Sequence, residues 1–394
     1  MKIEKRIDSY GHKKLIKNLF FGIGLFYTMG AFAMFSFDAI VLITLYLLGF
    51  YIGWKFYLSI ASTRKHNSQN ISNQDLIYID RILFLLVSVV FLIYLWKLNS
   101  YGIVGSEIIS RKQMALLTRK DFIFSISDTV LLTVFIYHTA VLVHFNKSRT
   151  FFYKCSLLIC ILIAVSSISL TSMMIIFITQ LFFIDKNKPI SRYVLLLMIP
   201  GYVLSVIWKP LASYIFFNSR LLGIDELSIP SEFTSWVSIY NNITSEMHNW
   251  NPSRYGESYI ETLQSLILPF SEVNTLSVTY LKTYEPLVYQ TGGGRGFSFF
   301  LEAFVNFGYL GVIMIGILVG LTLCKSSYSS SKGVIQLFIY ILLCTLVFKF
   351  FRSESLALVK NLFWLQIIPG LLLHSCLHLF LGFLPRRKFN SVTQ

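Results

Sequence analysis

Acidic residues are scarce. Only 19 of 394 residues are Asp or Glu, against 34 Lys or Arg, and charged residues together make up 13%. An ordinary soluble domain carries roughly 25%, so a conventional solvated surface is excluded. Cysteine is sparse too. The five present (155, 160, 324, 344, 376) lie in or beside apolar segments, with no C-x-x-C pair and no Cys/His metal spacing. They read as small core residues rather than ligands or redox pairs. The sequence has no GxxxxGK[ST] nucleotide loop and no HExxH or paired-Asp metal motif. It also lacks the ten-residue alternating segments of a membrane barrel. No internal repeat is visible, which argues against a transporter built from symmetric halves.

What the sequence has is apolar surface. Hydrophobic residues make up 55% and the mean hydropathy is +0.65. Apolar runs of about 18 residues or more recur, each able to cross a hydrocarbon core of roughly 30 Å as a helix. The fold class expected is all-α: a polytopic integral membrane protein of about ten transmembrane helices. The net charge of +15 fits Lys and Arg retained in cytoplasmic loops better than nucleic-acid binding, which is not expected. The basic amino terminus followed by "AFA" at 31–33 resembles a signal peptide, but hydrophobicity resumes after Asp38, so an uncleaved first helix is expected.

The spans fall near 17–36, 39–60, 76–97, 122–145, 151–168, 170–185, 193–217, 297–323, 333–351 and 361–383. "SSISLTS" (166–172) reads as a loop or a re-entrant break. The amino terminus, "STRKHN" (62–67), "NKSR" (146–149), "DKNKPISR" (185–192), "CKSSYSSSKG" (324–333) and "PRRKF" (385–389) then share one basic side. That side is cytoplasmic and holds both termini. Residues 98–121 dissent, carrying Arg111, Lys112, Arg119 and Lys120 on the opposite side. The organisation expected is helices 1–7 in 1–217, one long extracytoplasmic (periplasmic) loop or cap in 218–296, and helices 8–10 with a cytoplasmic tail in 297–394. Trp236, Tyr240, Trp250, Tyr255, Tyr259, Tyr280, Tyr284 and Tyr289 in that loop argue for a folded cap, since disordered segments are poor in aromatics.

Chemistry concentrates where that loop re-enters the membrane, in "TGGGRGFSFFLEAFVNFGYLG" (291–311). As a helix, its Arg295, Ser298, Glu302, Asn306 and Tyr309 share one stripe. An intramembrane carboxylate is costly when it faces lipid. Glu302 therefore either faces a protein-lined or watery cavity or pairs internally and locks two helices together. The glycine-rich turn, with Gly293 and Gly294, can converge backbone N–H groups on an anion. The helix start and the planar guanidinium of Arg295 add positive charge. Arg220, Arg254 and Arg352 map to the same outer surface, beside Glu257 and Glu302. Together they describe a site for an anionic ligand, the alternative for each arginine being an interfacial anchor.

"RYGESYIETLQSLILPF" (254–270) and "GGGRGFSFFLEAFVNFGYLGVIMIGILVGL" (292–321) resemble the oligosaccharide repeat-unit, or O-antigen, polymerases called Wzy. The matching residues are Tyr255, Gly256, Glu257, Ser258 and Pro269, then Ser298, Glu302, Ala303, Asn306, Phe307 and Gly308. The chain departs from many relatives at Phe270, where they follow the proline with Arg, and at "SLTSMM", where they carry an Arg in the broken middle span. The diphosphate role then falls to other arginines.

The resemblance implies a glycosyltransferase of the bacterial inner (cytoplasmic) membrane, making O-antigen (lipopolysaccharide) or capsular polysaccharide. Its donor and acceptor would be undecaprenyl-diphosphate-linked glycans. The lipid bilayer and the flippase and chain-length regulator of the same pathway would be its other partners. Glu302, Glu257 and Arg295 are cast as catalytic. Arg220, Arg254, Arg295, Arg352, Gly293 and Gly294 would hold diphosphate, and Ser298, Asn306 and Tyr255 would contact sugar. No cofactor and no metal is expected, because diphosphate is already a good leaving group. The rivals are an O-antigen ligase-like transferase with a lipid A-core acceptor, a flippase or exporter of lipid-linked sugars, and a non-catalytic scaffold.

Overall fold

The computed structural model describes residues 10–60, 73–100, 122–166, 170–183, 231–245, 255–268, 275–290 and 297–383. Within them the chain is all-helical, with no strand. The apolar runs become α1 (Tyr10–Ala33), α2 (Phe37–Ile60), α3 (Asn73–Ser100), α4 (Phe122–His144), α5 (Phe151–Ser166) and α6 (Leu170–Leu181). Four helices follow from the segment expected to form the long loop: α7 (Ser231–Ser245), α8 (Glu257–Ile267), α9 (Leu276–Tyr284) and α10 (Pro286–Gln290). The carboxyl-terminal part forms α11 (Phe299–Ser329), α12 (Val334–Leu346), α13 (Lys349–Arg352), α14 (Ser355–Leu362) and α15 (Ile368–Phe383). A π-helical turn, Phe363–Ile367, joins the last two.

Among the described residues, five helical stretches are long and apolar enough to cross a membrane: Leu15–Ala33, Phe37–Ile60, Gln74–Lys97, Phe299–Ser329 and Ser355–Phe380. Shorter apolar helices cover Thr129–His144, Phe151–Ala164, Ser172–Leu181 and Val334–Leu346. The chain is thus a multi-pass membrane protein. The expected span at 193–217 lies outside the described residues, as does 167–169, where the break between α5 and α6 was expected. The expected span at 333–351 is divided into α12 and α13. The one expected at 361–383 starts earlier, because α14, the π-turn and α15 run on from Ser355.

The tightest packing joins α2 to α11. Each helix presents a small-x-x-x-small pair, Gly49 and Gly53 in "GFYIG" and Gly316 and Gly320 in "GILVG". A Cβ added at Gly49 or Gly53 would fall on the carbonyl oxygen of Ile313 or Ile317, and one at Gly316 or Gly320 on that of Tyr46 or Phe50. The backbones touch because nothing stands between them. Packing of this kind associates helices in lipid, where hydrophobic burial supplies little drive. The seam sets α11, which carries Glu302 in its amino-terminal part, against α2. Phe300 lies 5.3 Å from the Tyr46 ring on α2 and 5.1 Å from Trp236 on α7.

A second tie lies away from that site. Asp80 on α3 accepts from the Thr150 hydroxyl ahead of α5 at 2.8 Å, and its Oδ1 is 2.7 Å from Nε2 of His138 on α4. Both Asp80 and His138 are buried. Ionisable groups inside a bundle pair in this way because lipid offers them no partner.

The glycine seam carries the first prediction. Gly53→Leu should prevent stable accumulation in membranes, because the side chain would have to displace backbone. Leu48→Ala, on an exposed position of the same helix, should leave abundance within about twofold, as surface changes rarely exceed ±0.5 kcal/mol. Quantitative immunoblotting of membranes checks this; normal levels of Gly53→Leu would contradict the seam.

Candidate functional site

The amino end of α11 is built by its own side chains. Ser298 is the N-cap, accepting from the Leu301 amide at 3.3 Å. One turn in, Glu302 is 1% exposed. Its Oε1 accepts from the Ser258 hydroxyl on α8 at 2.7 Å and from the Ser355 hydroxyl on α14 at 2.6 Å. Its Oε2 accepts from the Ser355 amide at 2.6 Å, at the positive end of α14. Of the two alternatives read from the sequence, internal pairing describes what is seen. One carboxylate joins three helices, and both its oxygens are already hydrogen-bonded.

Asn306 completes the node. Its Nδ2 donates to the Ser258 hydroxyl at 2.9 Å and to the Glu302 carbonyl at 2.8 Å. Its Oδ1 accepts from the Gly256 amide at 3.0 Å. The turn before α8 is held by this bond, with Tyr255 at φ 42° and Gly256 at φ 88°. Gly256 is needed twice over. Its left-handed backbone suits glycine, and an added Cβ would meet Phe307 Cζ at 2.9 Å. The Y-G-E-S and Ser…Glu-Ala…Asn-Phe-Gly stretches, distant in sequence, are therefore two halves of one hydrogen-bonded unit.

The expected stripe needs correction at its far end. Gly308 has φ 63° and ψ −156°, a region essentially reserved for glycine, and α11 breaks there. Tyr309 falls beyond the break, its hydroxyl 3.1 Å from that of Tyr240 on α7. Ser298 and Asn306, expected at a sugar, are buried and occupied by the cap and the turn. Tyr255 is 80% exposed and Glu257 is exposed at the start of α8. Arg352 closes α13, its guanidinium carbon 5.8 Å from the Phe348 ring centre, three residues before Ser355. Arg220, Arg254, Gly293, Gly294 and Arg295 lie outside the described residues.

Two residues not foreseen from the sequence border the node. Tyr259 on α8 lies parallel to the Phe307 ring at 6.2 Å. Burial first, then the neighbouring Glu302 carboxylate, push its phenol up. Its buried hydroxyl has no hydrogen-bond partner among the described residues. Glu354, immediately before α14, is buried and accepts from the Ser277 amide at 3.2 Å. It therefore holds the start of α9. Burial and then the charge of Glu302 raise its carboxyl to about 7, against hydrogen bonds from Thr275, Ser277 and Leu276. Among the described residues no group of three or more His, Cys, Asp or Glu side chains could hold a metal ion.

A family model described as O-antigen polysaccharide polymerase Wzy matches residues 238–382. This match supports the Wzy family. It starts inside α7 and ends at the close of α15, so it takes in Glu302, Ser258, Ser355, Asn306 and Glu354 together. No curated protein and no solved structure matches the chain. The Wzy match is wider than the two stretches that carry the resemblance in the sequence.

Two predictions follow from the site. Glu302→Gln should keep near-normal abundance, because its amide oxygen can accept from the Ser355 amide and the serine hydroxyls can rotate to accept from its nitrogen. Glu302→Ala should lower abundance sharply. It strands three buried donors, at about 1–3 kcal/mol each. Membrane protein level reads both variants, and equal loss would contradict the arrangement.

Glu354 gives a pH dependence. Its folded pKa of about 7 lies above the ordinary 4.5, so the folded state holds the proton more tightly. Its contribution to stability is greatest below 4.5 and declines as pH rises toward 7. Amides of Leu276–Tyr284 should exchange faster at pH 8 than at pH 5.5, after correction for intrinsic rates, and Glu354→Gln should remove that difference. An unchanged difference in the variant would contradict the assignment.

Proposed function

We propose that this protein polymerises oligosaccharide repeat units carried on undecaprenyl diphosphate, at the extracytoplasmic face of the membrane, into O-antigen or capsular polysaccharide. The observation that carries this reading is the convergence of both Wzy-like stretches on one node at the amino end of α11. Exposed Tyr255 and Glu257 border that node, and Arg352 lies three residues before its Ser355.

In the proposed reaction a hydroxyl on the acceptor's terminal sugar attacks the anomeric carbon of the donor glycan. The new glycosidic C–O bond forms as the C–O bond to diphosphate breaks. The acceptor proton passes to a carboxylate, and undecaprenyl diphosphate leaves with the bonding pair. Glu257 is the acid best placed to take that proton, being exposed where Glu302 is enclosed. Glu302 then acts as a positioning residue, holding Ser258 and the Tyr255–Glu257 turn. Arg352, with Arg220, Arg254 and Arg295 and the amides at Gly293 and Gly294, would stabilise the charge developing on diphosphate. Because arginines supply that charge, polymerisation in vesicles is expected to survive EDTA. Loss restored by a divalent ion would contradict this.

The reading includes a topology. About ten spans are proposed, with 1–217 carrying the first seven, 218–296 forming the periplasmic cap and 297–394 the last three with a cytoplasmic tail. A cysteine at Ser231 in a Cys-free background should label from outside intact cells. Labelling only after permeabilisation would overturn the orientation.

Deletion of the gene should leave glycan bearing a single repeat unit. Lipid-linked polymer never attached would indicate a ligase instead, and absent exported glycan a flippase. Glu257→Gln and Arg352→Lys should shorten the polymer ladder at normal protein level, each by about 10²-fold or more in rate. A Lys point charge does not replace the guanidinium fork. Normal ladders from both would remove these residues from the mechanism.

A further inference from the structure

A groove of about 490 Å³ opens between α1 and α2, lined by Lys17, Phe21, Thr44, Leu47, Leu48 and Tyr51. Its size falls within the roughly 300–1,000 Å³ of small-molecule sites, and five of its six lining side chains are uncharged. Thr44, Leu48 and Tyr51 are exposed, so the groove faces sideways out of the bundle, toward lipid. It belongs to the half of the α1–α2 pair nearer Tyr10, away from the Glu302 node. Lys17 stands 16 residues before Ala33 on α1, about 24 Å along the axis at roughly 1.5 Å per residue. That places its backbone near one edge of a hydrocarbon core of roughly 30 Å.

The charges at the mouth of this groove are unbalanced. The Lys17 ammonium is 5.5 Å from the Tyr51 ring centre, and the Lys55 ammonium is 5.6 Å from the same centre. Two cations gathered on one ring repel each other, and neither is paired with a carboxylate among the described residues. The helices packed around this region offer none. Neither α1 nor α12 contains an Asp or Glu, and the acids of α2 and α11, Asp38 and Glu302, stand at the opposite ends of those helices. Lys325, at the carboxyl-terminal part of α11, adds positive charge at the same end. An apolar slot running down from a mouth with two ammonium groups and no carboxylate among the described residues is complementary to one kind of molecule.

We infer that the α1–α2 groove binds an anionic phospholipid from the leaflet at the Tyr10 end of α1. One acyl chain lies between Phe21, Leu47 and Leu48, and the phosphate is held by Lys17 and Lys55 beside Tyr51. The phosphate neutralises both ammonium groups, and the acyl chain fills a slot too apolar for water. Each basic side chain at such a surface strengthens binding by about fivefold, so the two together favour an anionic over a zwitterionic headgroup by about twentyfold or more. The site is independent of the proposed polymerase activity, being on other helices and at the other end of the bundle.

Native mass spectrometry of the full chain, reconstituted in equimolar palmitoyl-oleoyl phosphatidylglycerol and phosphatidylcholine, tests this. Wild-type protein should retain one phosphatidylglycerol in preference to phosphatidylcholine. The Lys17→Gln/Lys55→Gln double variant should lose the preference. Leu48→Trp, which fills the slot and keeps both lysines, should lose the retained lipid. Equal retention of the two lipids by wild type would overturn the proposal. So would phosphatidylglycerol retained by Leu48→Trp as by wild type, which would mean a headgroup contact without a groove. Undecaprenyl phosphate added to the mixture and retained ahead of phosphatidylglycerol would overturn the assigned occupant.

Discussion

A carboxylate buried at the amino end of a membrane helix must find its hydrogen-bond donors in protein, and Glu302 finds them on two other segments. Ser258 arrives on α8 and Ser355 on α14. If either helix moved away, the buried carboxylate would lose one or two of its three donors, at a cost of about 1–3 kcal/mol each. Glu302 is thus one of the ties that hold α8 against the bundle, beside the Thr262–Ser355 and Asn306–Ser258 hydrogen bonds. Asn306 extends the tie to the Gly256 turn, and Glu354 repeats the device one residue before Ser355, where it holds the start of α9. Two acids at two helix starts attach α8 and α9 to α11 and α14.

The node has a foundation in the α2–α11 seam. Glycines on both helices let the backbones meet, which fixes how α11 is set against α2 before any polar contact is made. The break at Gly308 lies between the two regions. It separates the seam portion of α11 from the short amino-terminal portion bearing Glu302 and Asn306, so that portion can aim at α8 without disturbing the seam. Packing of apolar and small residues sets the frame, and hydrogen bonding sets the site on it.

Much of the fold is legible in the sequence because lipid imposes a simple rule: long apolar runs become helices. The expected segments near 17–36, 39–60, 76–97 and 122–145 each coincide with a helix. Of the aromatics in 218–296, Trp236, Tyr240 and Tyr280 are buried, whereas Tyr255 and Tyr289 are exposed. The Gly308 break is not legible from periodicity, which carries Tyr309 onto the same stripe as Glu302. Ser258 and Ser355 escape notice as partners because serine is common and their separation in sequence hides the contact. The glycine pairs were readable as "GFYIG" and "GILVG", and Asp80 and His138 as ionisable residues inside apolar runs. Exposure is the property sequence reads least well. The stripe sets Glu302 and Asn306 on one helix face, but only the surrounding helices decide that they are enclosed while Tyr255 and Glu257 are open.

The central claim is that Glu302 and Ser355 form one energetic unit joining α11 to α14. A double-mutant cycle measures it most directly, using Glu302→Ala, Ser355→Ala and the double variant in detergent-solubilised protein and reading unfolding free energy for each. If the carboxylate organises the node, Ser355→Ala should be costly in wild type and nearly free once Glu302 is gone, with a coupling of about 1–3 kcal/mol. Costs that add within about 0.5 kcal/mol would contradict the account.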